Sequence, residues 1–244
     1  MDENLIETRK LSDDFFLQET NNLSDEAFLQ AAYHTYLKRE ADEFGKHSYL
    51  QYLGNDRSKR QQVLNAFQES QEFKLLNKFD YSKYPQRLNL GCGFDIKCGY
   101  LNVDLHEYHK PDLVADIRYL HMLPSGFYEE IIAQDCLEHL PRCETELALK
   151  EWSRLLKCGG ILKLRTTSLI DLLELFKAEN YQTVELQQKL LQCLFGTQAY
   201  EGDWHFTAFT QKLLTYYLEA ASFAKMEFNL IDGWLFDVTA EKFG

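Results

Sequence analysis

Positive charge is scarce in this chain of 244 residues: 26 Lys and Arg stand against 38 Asp and Glu, for a formal net charge of −12. A phosphate backbone is held by clustered Lys and Arg, so this balance argues against DNA or bulk RNA as a partner. The one dense basic run, Arg57-Ser58-Lys59-Arg60, reads as a solvated helix face. No apolar run approaches the length of a membrane span. Met1-Asp2-Glu3-Asn4 lacks the positive start and apolar run of a cleavable leader, so a cytoplasmic protein is expected. The six cysteines, at 92, 98, 136, 143, 158 and 193, have neither paired C-x-x-C spacing nor a regular framework. Free thiols and no metal site are the expectation.

What the chain does have is a hydrophobic fraction of 45% and an aromatic fraction of 14%, enough to fold around a core rather than stay disordered. Its organising stretch is Arg87-Leu88-Asn89-Leu90-Gly91-Cys92-Gly93, followed by Tyr100-Leu101-Asn102-Val103-Asp104. It reads as a buried strand, a glycine turn, a short loop and a second strand ending in a carboxylate, the layout of a nucleoside site at the edge of an open sheet. Gly91 and Gly93 let the backbone turn tightly and approach a ligand. Asp104, acceptor-only when ionised, suits the vicinal hydroxyls of a ribose. The third glycine of a dinucleotide turn and the lysine-serine pair of a phosphate loop are both missing. A pyrophosphate would have no seat, which points away from nicotinamide cofactors and ATP.

The text RLNLGCG at 87–93, GYLNVDL at 99–105, DLVADIRYL at 112–120, EEIIAQDCLEHL at 129–140 and EWSRLLKCGGILKLRTTS at 151–168 resembles the class I S-adenosylmethionine-dependent methyltransferases, in particular small members of the Leu-Asn-Leu-Gly-Cys-Gly type. The resemblance continues through LFGTQ at 194–198 and EGDWHFTAFT at 201–210 and covers about two thirds of the chain. It implies an α/β fold: a Rossmann-like seven-stranded methyltransferase sheet over 81–244, with S-adenosylmethionine as cofactor and S-adenosylhomocysteine as product. It implies cofactor contacts from Asn89, Gly91, Cys92, Gly93, Asp104, Leu105 and Gln134, with Asp116 and the amide of Ile117 beside the adenine. Asp135 stands where the family often has a histidine, and Cys158 where it usually has proline.

Ahead of the sheet the reading is helical. Residues 1–22 form a polar lead expected to dock by Phe15, Phe16 and Leu17, and 23–80 an all-helical accessory domain. Ser24 is a plausible N-cap, Phe28, Ala31, Ala32 and Tyr36 share one face of a first helix to about Arg39, and Gly54 ends a second over 42–53. A third covers about 59–67, and a fourth follows Ser70. Tyr33, Tyr36, Tyr49 and Tyr52 serve either as core packing or as a carbohydrate or partner surface. The stretch also resembles a small helical domain of unknown function from bacterial surface and polysaccharide-related proteins, of the form Tyr-x-x-x-Leu-x-Arg-Glu-x-Asp-x-x-Gly followed by Ser-x-Glu-Phe. That tilts the acceptor toward glycans.

Within 81–244, Phe94 to Gly99 is too short for a full crossover helix, so a turn is expected there. Strands are expected at 113–115, 130–133, 161–165, 223–231 and 234–242. Lys157-Cys158-Gly159-Gly160 reads as the left-handed close of a helix over 144–156. Helices across 169–195 are expected to form a lid, and Arg165 either touches the acceptor or bridges to that lid. His205, in an aperiodic loop, is the first candidate for general base, followed by Asp135 and His139. The expected reaction is methyl transfer to an oxygen of a small-molecule or saccharide acceptor. RNA or protein methylation and a non-catalytic cofactor-binding scaffold are the alternatives, and the aromatic-rich helices allow a homodimer.

Overall fold

The structure, a computed structural model, describes residues 13, 14, 16–199 and 202–244, without the side chains of 77 and 78. The chain divides into two compact units, Met1–Asp80 and Tyr81–Gly244. Phe15, one of the three side chains expected to dock the lead, lies outside the described residues. Phe16 and Leu17 pack on the core of the first unit.

Helix α1 (Asp25–Ala32) starts where the Ser24 hydroxyl accepts from the Ala27 amide at 3.2 Å, satisfying one of the donors a helix start leaves unpaired. It continues as a π-turn over Tyr33–Leu37 that ends at Lys38 in the left-handed region, short of Arg39. Helix α2 (Glu43–Leu53) is capped by Asp42 and closed by left-handed Gly54. Helices α3 (Arg60–Glu69) and α4 (Gln71–Lys78) meet at Ser70, which caps the second of them. Phe28, Leu29, Leu53, Leu64 and Phe67 form the core between them.

The tyrosine-arginine-glycine pattern of this unit is an architectural clasp. Arg39 donates from Nε and Nη2 to the two oxygens of Glu72 at 2.7 and 3.0 Å and from Nη1 to Asp42 at 3.1 Å. Its guanidinium carbon lies 4.9 Å from the Tyr33 ring centroid. Asp42 in turn accepts from the Gly45 amide at 2.7 Å, and a Cβ at Gly45 would strike the Tyr33 hydroxyl. Tyr33 and Tyr36 are buried and the Tyr49 ring packs on Phe67, so three of the four tyrosines pack. Tyr52 is exposed and bonds Gln62 at 2.8 Å. The basic run is no uniform solvated face either. Arg60 is 3% exposed and bonds Asp25 at 2.7 Å and the carbonyls of Thr20 and Leu23 at 2.9 and 2.8 Å, whereas Arg57 is exposed.

The second unit is a seven-stranded sheet of β1 (Arg87–Leu90), β2 (Leu101–Asp104), β3 (Leu113–Val114), β4 (Tyr128–Gln134), β5 (Leu156–Thr167), β6 (Phe223–Ile231) and β7 (Leu235–Lys242). Its order is β3-β2-β1-β4-β5-β7-β6, with β1 to β5 parallel and β7 antiparallel between β5 and β6. This is the seven-stranded Rossmann-like sheet expected over 81–244, with its one antiparallel strand next to the edge. Register puts Leu88, Leu101, Ile131, Leu162 and Ala240 in one row across the sheet, all fully buried. Helices α5 (Thr145–Leu155) and α8 (Gln211–Ala220) pack against each other and bury Trp152, Leu149, Leu214 and Leu218. Helices α6 (Leu169–Lys177) and α7 (Val184–Phe195) pair between β5 and β6.

Two connections explain the local sequence. Asn89 and Asn102 are register partners on the other face of the sheet, and Asn89 Nδ2 donates to Asn102 Oδ1 at 3.0 Å and to the Asp95 carbonyl at 2.8 Å. Asn102 Oδ1 also accepts from the Lys97 amide at 2.8 Å, so side chains pin the β1–β2 loop where a helix would otherwise pack. The Gly159-Gly160 pair does not close a helix. Between the pairs Tyr128↔Leu156 and Glu130↔Ile161, β5 advances five residues while β4 advances two, and the surplus forms a bulge. A Cβ on Gly160 would lie 2.9 Å from the Lys157 carbonyl oxygen.

Candidate active site

The carboxyl ends of parallel strands collect loops at one sheet edge, where open α/β sheets bind ligands. Here that edge holds a cavity of about 400 Å³, within the roughly 300–1,000 Å³ usual for small-molecule sites. The turn after β1 forms its floor. Gly91 has φ +60°, and a Cβ there would sit 2.5 Å from Cys136 Cβ, so the position is closed to any side chain. Gly93 has φ +50°, but a Cβ would meet nothing within 4 Å; its glycine serves the backbone conformation and leaves the floor bare.

Asp104, at the end of β2, is 6% exposed and heavily engaged. Its Oδ2 accepts from the Gly93 amide at 2.8 Å, and its Oδ1 from the His106 amide and from His109 Nδ1, both at 2.9 Å. Asp116 accepts from the Arg118 amide at 2.9 Å and from Arg118 Nε and Nη2, and Arg118 also reaches Glu144. The Ile117 carbonyl takes the Trp152 indole at 2.9 Å, which fixes the turn after β3. Asp135 follows β4 with φ +52°, a strained conformation for a non-glycine residue. Its carboxylate is held by Arg165 Nε at 2.8 Å, so Arg165 serves Asp135 rather than a lid.

Of the residues expected to hold a cofactor, Gly91, Gly93, Asp104, Leu105, Asp116 and Ile117 line the cavity. Asn89, Cys92 and Gln134 are not in its wall. Asn89 is spent on the loop network, and Cys92 is buried, its thiol pushed up to about 12 by burial and by Asp104. Of the base candidates, Asp135 and His139 line the cavity. His139 Nδ1 lies 3.1 Å from the Gly202 carbonyl, an acceptor only, so Nδ1 carries the proton and Nε2 the lone pair of the neutral ring. His205 stands behind it, its ring perpendicular at 4.6 Å between centroids and its Nδ1 3.1 Å from the Cys193 carbonyl. Burial, then His139, lowers the His205 pKa.

No residue of α6 or α7 lines the cavity; Gly202 and Phe206, from the loop after α7, close that side. The Phe206 and Thr207 amides donate to the Glu138 carbonyl at 2.8 and 3.3 Å, and a Cβ on Gly202 would lie 2.9 Å from His106 Nε2. The sequence reading passed over His106, His109 and Glu138. Two histidines three apart, directly after the strand-ending carboxylate, were the available signal for the first two. Glu138 is 1% exposed and receives the Thr166 hydroxyl at 2.9 Å; burial first, and Asp135 further, push its pKa up to about 7. Among the described residues, no group of three or more His, Cys, Asp or Glu side chains is placed to hold a metal ion.

Residues 8–77 match the family model described as "Domain of unknown function (DUF4214)". No curated protein matches the chain. Among solved structures, the chain is similar to a possible exported protein from Bordetella parapertussis, at 16% identity and TM-score 0.49, covering 66% of this chain and 63% of that one. It is also similar to a SAM-dependent methyltransferase from Archaeoglobus fulgidus, at 16% identity and TM-score 0.46, covering 72% of this chain and 98% of that one. An S-adenosylmethionine-dependent methyltransferase from Mesorhizobium loti matches at 17% identity and TM-score 0.45, covering 71% and 99%. The chain thus spans less than two thirds of the Bordetella protein's length.

Proposed function

We propose that this chain transfers a methyl group from S-adenosylmethionine to an oxygen of a small, uncharged acceptor, a sugar hydroxyl being the first to test. The observation that carries this reading is the pairing, in one cavity at the carboxyl edge of the sheet, of a ribose-type carboxylate, Asp104, with an oriented imidazole, His139.

The residues fit the cofactor. The bare floor at Gly93 would leave room for its methionine part, Asp104 would offer its remaining Oδ2 acceptor position to the ribose, and Asp116, steadied by Arg118, would with Ile117 flank the adenine. When bound, the cofactor supplies a methyl group already activated on a positively charged sulfur. What the protein adds is alignment and exclusion of water. His139 takes the acceptor's hydroxyl proton at Nε2, since a sugar hydroxyl is a poor nucleophile until it is relieved of that proton. His205 packs edge-on behind His139 and keeps its ring in place. Asp135 lines the same cavity with its carboxylate tied to Arg165. Because Arg118 and Arg165 are both bonded to carboxylates, the site favours neutral acceptors over phosphorylated ones.

The test is transfer of labelled methyl to a panel of monosaccharides, alkyl glycosides and phenols. His139→Ala should lower kcat roughly 10²-fold or more while the cofactor Kd stays within about twofold. An unchanged kcat removes His139 as base. A protein that binds the cofactor but methylates none of these acceptors, nor RNA or protein, is a binding scaffold.

A further inference from the structure

Resting on the cofactor reading above, we infer that His109 is a second ribose-reading residue, and that Asp104 and His109 together receive the two hydroxyls of the nucleoside. An ionised carboxylate offers about four acceptor positions. Three of those on Asp104 are taken within the protein: the Gly93 amide on Oδ2, and the His106 amide and His109 Nδ1 on Oδ1. One position is left, on Oδ2, which suffices for one hydroxyl of a vicinal pair. The other hydroxyl needs a different partner.

His109 is placed to be that partner. It lines the same cavity and its side chain is 6% exposed. Its ring packs against Phe94 at 4.5 Å and Tyr108 at 4.2 Å between centroids, contacts that favour the orientation in which Nδ1 meets Asp104. Because the carboxylate only accepts, Nδ1 carries a proton, and Nε2 of the neutral ring carries a lone pair. Among the described residues nothing hydrogen-bonds that Nε2. A hydroxyl serves it in either protonation state, donating to the neutral ring or accepting from the charged one. Tyr108 and His106, 4.2 and 5.9 Å away between ring centroids, and Cys92, whose thiol feels the charges of Asp104, Asp112 and Asp95, are titratable groups of the same corner. The pair would therefore read both hydroxyls, where a lone carboxylate in this setting reads one.

The experiment uses the full chain and calorimetric titration of S-adenosylhomocysteine and its 2′-deoxy and 3′-deoxy analogues. Wild type should bind each analogue about 10-fold more weakly than the parent, the worth of one lost hydrogen bond. His109→Asn keeps a donor for Asp104 and removes Nε2. It should bind the parent about 10-fold more weakly and become indifferent to one of the two deoxy substitutions while still penalising the other. Equal weakening toward all three ligands, or none, overturns the inference and leaves His109 a prop for Asp104. Should His109→Asn fail to fold, His109→Gln, which carries its amide near the Nε2 position, decides: it should retain the preference for both hydroxyls, and loss of either preference relative to wild type contradicts the inference. A folded wild type that binds none of the three ligands overturns the cofactor reading itself, a result distinct from uniform weakening in the variants.

Discussion

Glu138 carries the clearest pH signature of any single residue. Sealed under the cavity, its carboxyl titrates near 7, whereas in the unfolded chain it would titrate at about 4.3. The native state therefore holds a proton that the unfolded state has released. The associated stability is complete below about pH 4.3 and is lost as pH rises through about 7. Glu138→Gln has no proton to lose. Between pH 4.5 and 8.5, wild type should lose on the order of 3 kcal/mol relative to that variant, read as the gap between their urea midpoints. A gap that does not change with pH would contradict the burial argument. The glycines and Asp104 were legible in sequence because a strand, a turn and a strand-ending carboxylate lie within a few residues of one another. His109 and Glu138 were not, because what gives each its role is a partner set in space: Asp104 and two aromatic rings for one, Thr166 from another strand for the other.

Among the elements, the helical unit depends on the Arg39 clasp, which ties the end of the π-turn to the start of α2 and to α4. Removing one partner of a mostly buried ion pair leaves two carboxylates uncompensated. Arg39→Ala should cost about 3–5 kcal/mol, measured by chemical unfolding of the first unit followed through its tyrosines. Stability unchanged within about 0.5 kcal/mol would show that the pattern serves a surface instead. Helix positions in this unit followed from periodicity and caps. The inward turn of Arg60 did not, since a basic run looks the same whether or not Asp25 waits beneath one of its members. The Gly159-Gly160 pair shows the same limit. Two glycines after a helix are also the local signal for a cap, and pairing with β4 decides in favour of a bulge. The lid expectation met a similar obstacle: α6 and α7 form as helices, but the wall falls to Gly202 and Phe206.

For the molecule as a whole, the succession of strands was readable because each βα segment keeps its own hydrophobic pattern, and the fold class follows from it, whereas the antiparallel placing of β7 between β5 and β6 is set by pairing in space. The acceptor was not readable. The cavity wall is assembled from the ends of β2, β3 and β4 and from a loop some 60 residues further on, which no local motif encodes. Net charge of −12 and arginines already bonded to carboxylates keep the expectation on neutral acceptors at this scale too. No helix among the described residues is long and apolar enough to cross a membrane. The central claim is that the cavity beside Asp104 takes S-adenosylmethionine, and calorimetric titration of that cofactor and of S-adenosylhomocysteine into wild type and Asp104→Ala tests it most directly. The account predicts saturable one-to-one binding to wild type, weakened at least about 10-fold in the variant by loss of a charge-assisted hydrogen bond and of the turn it anchors. A folded wild type that binds neither compound, or a variant that binds both as tightly as wild type, would contradict it.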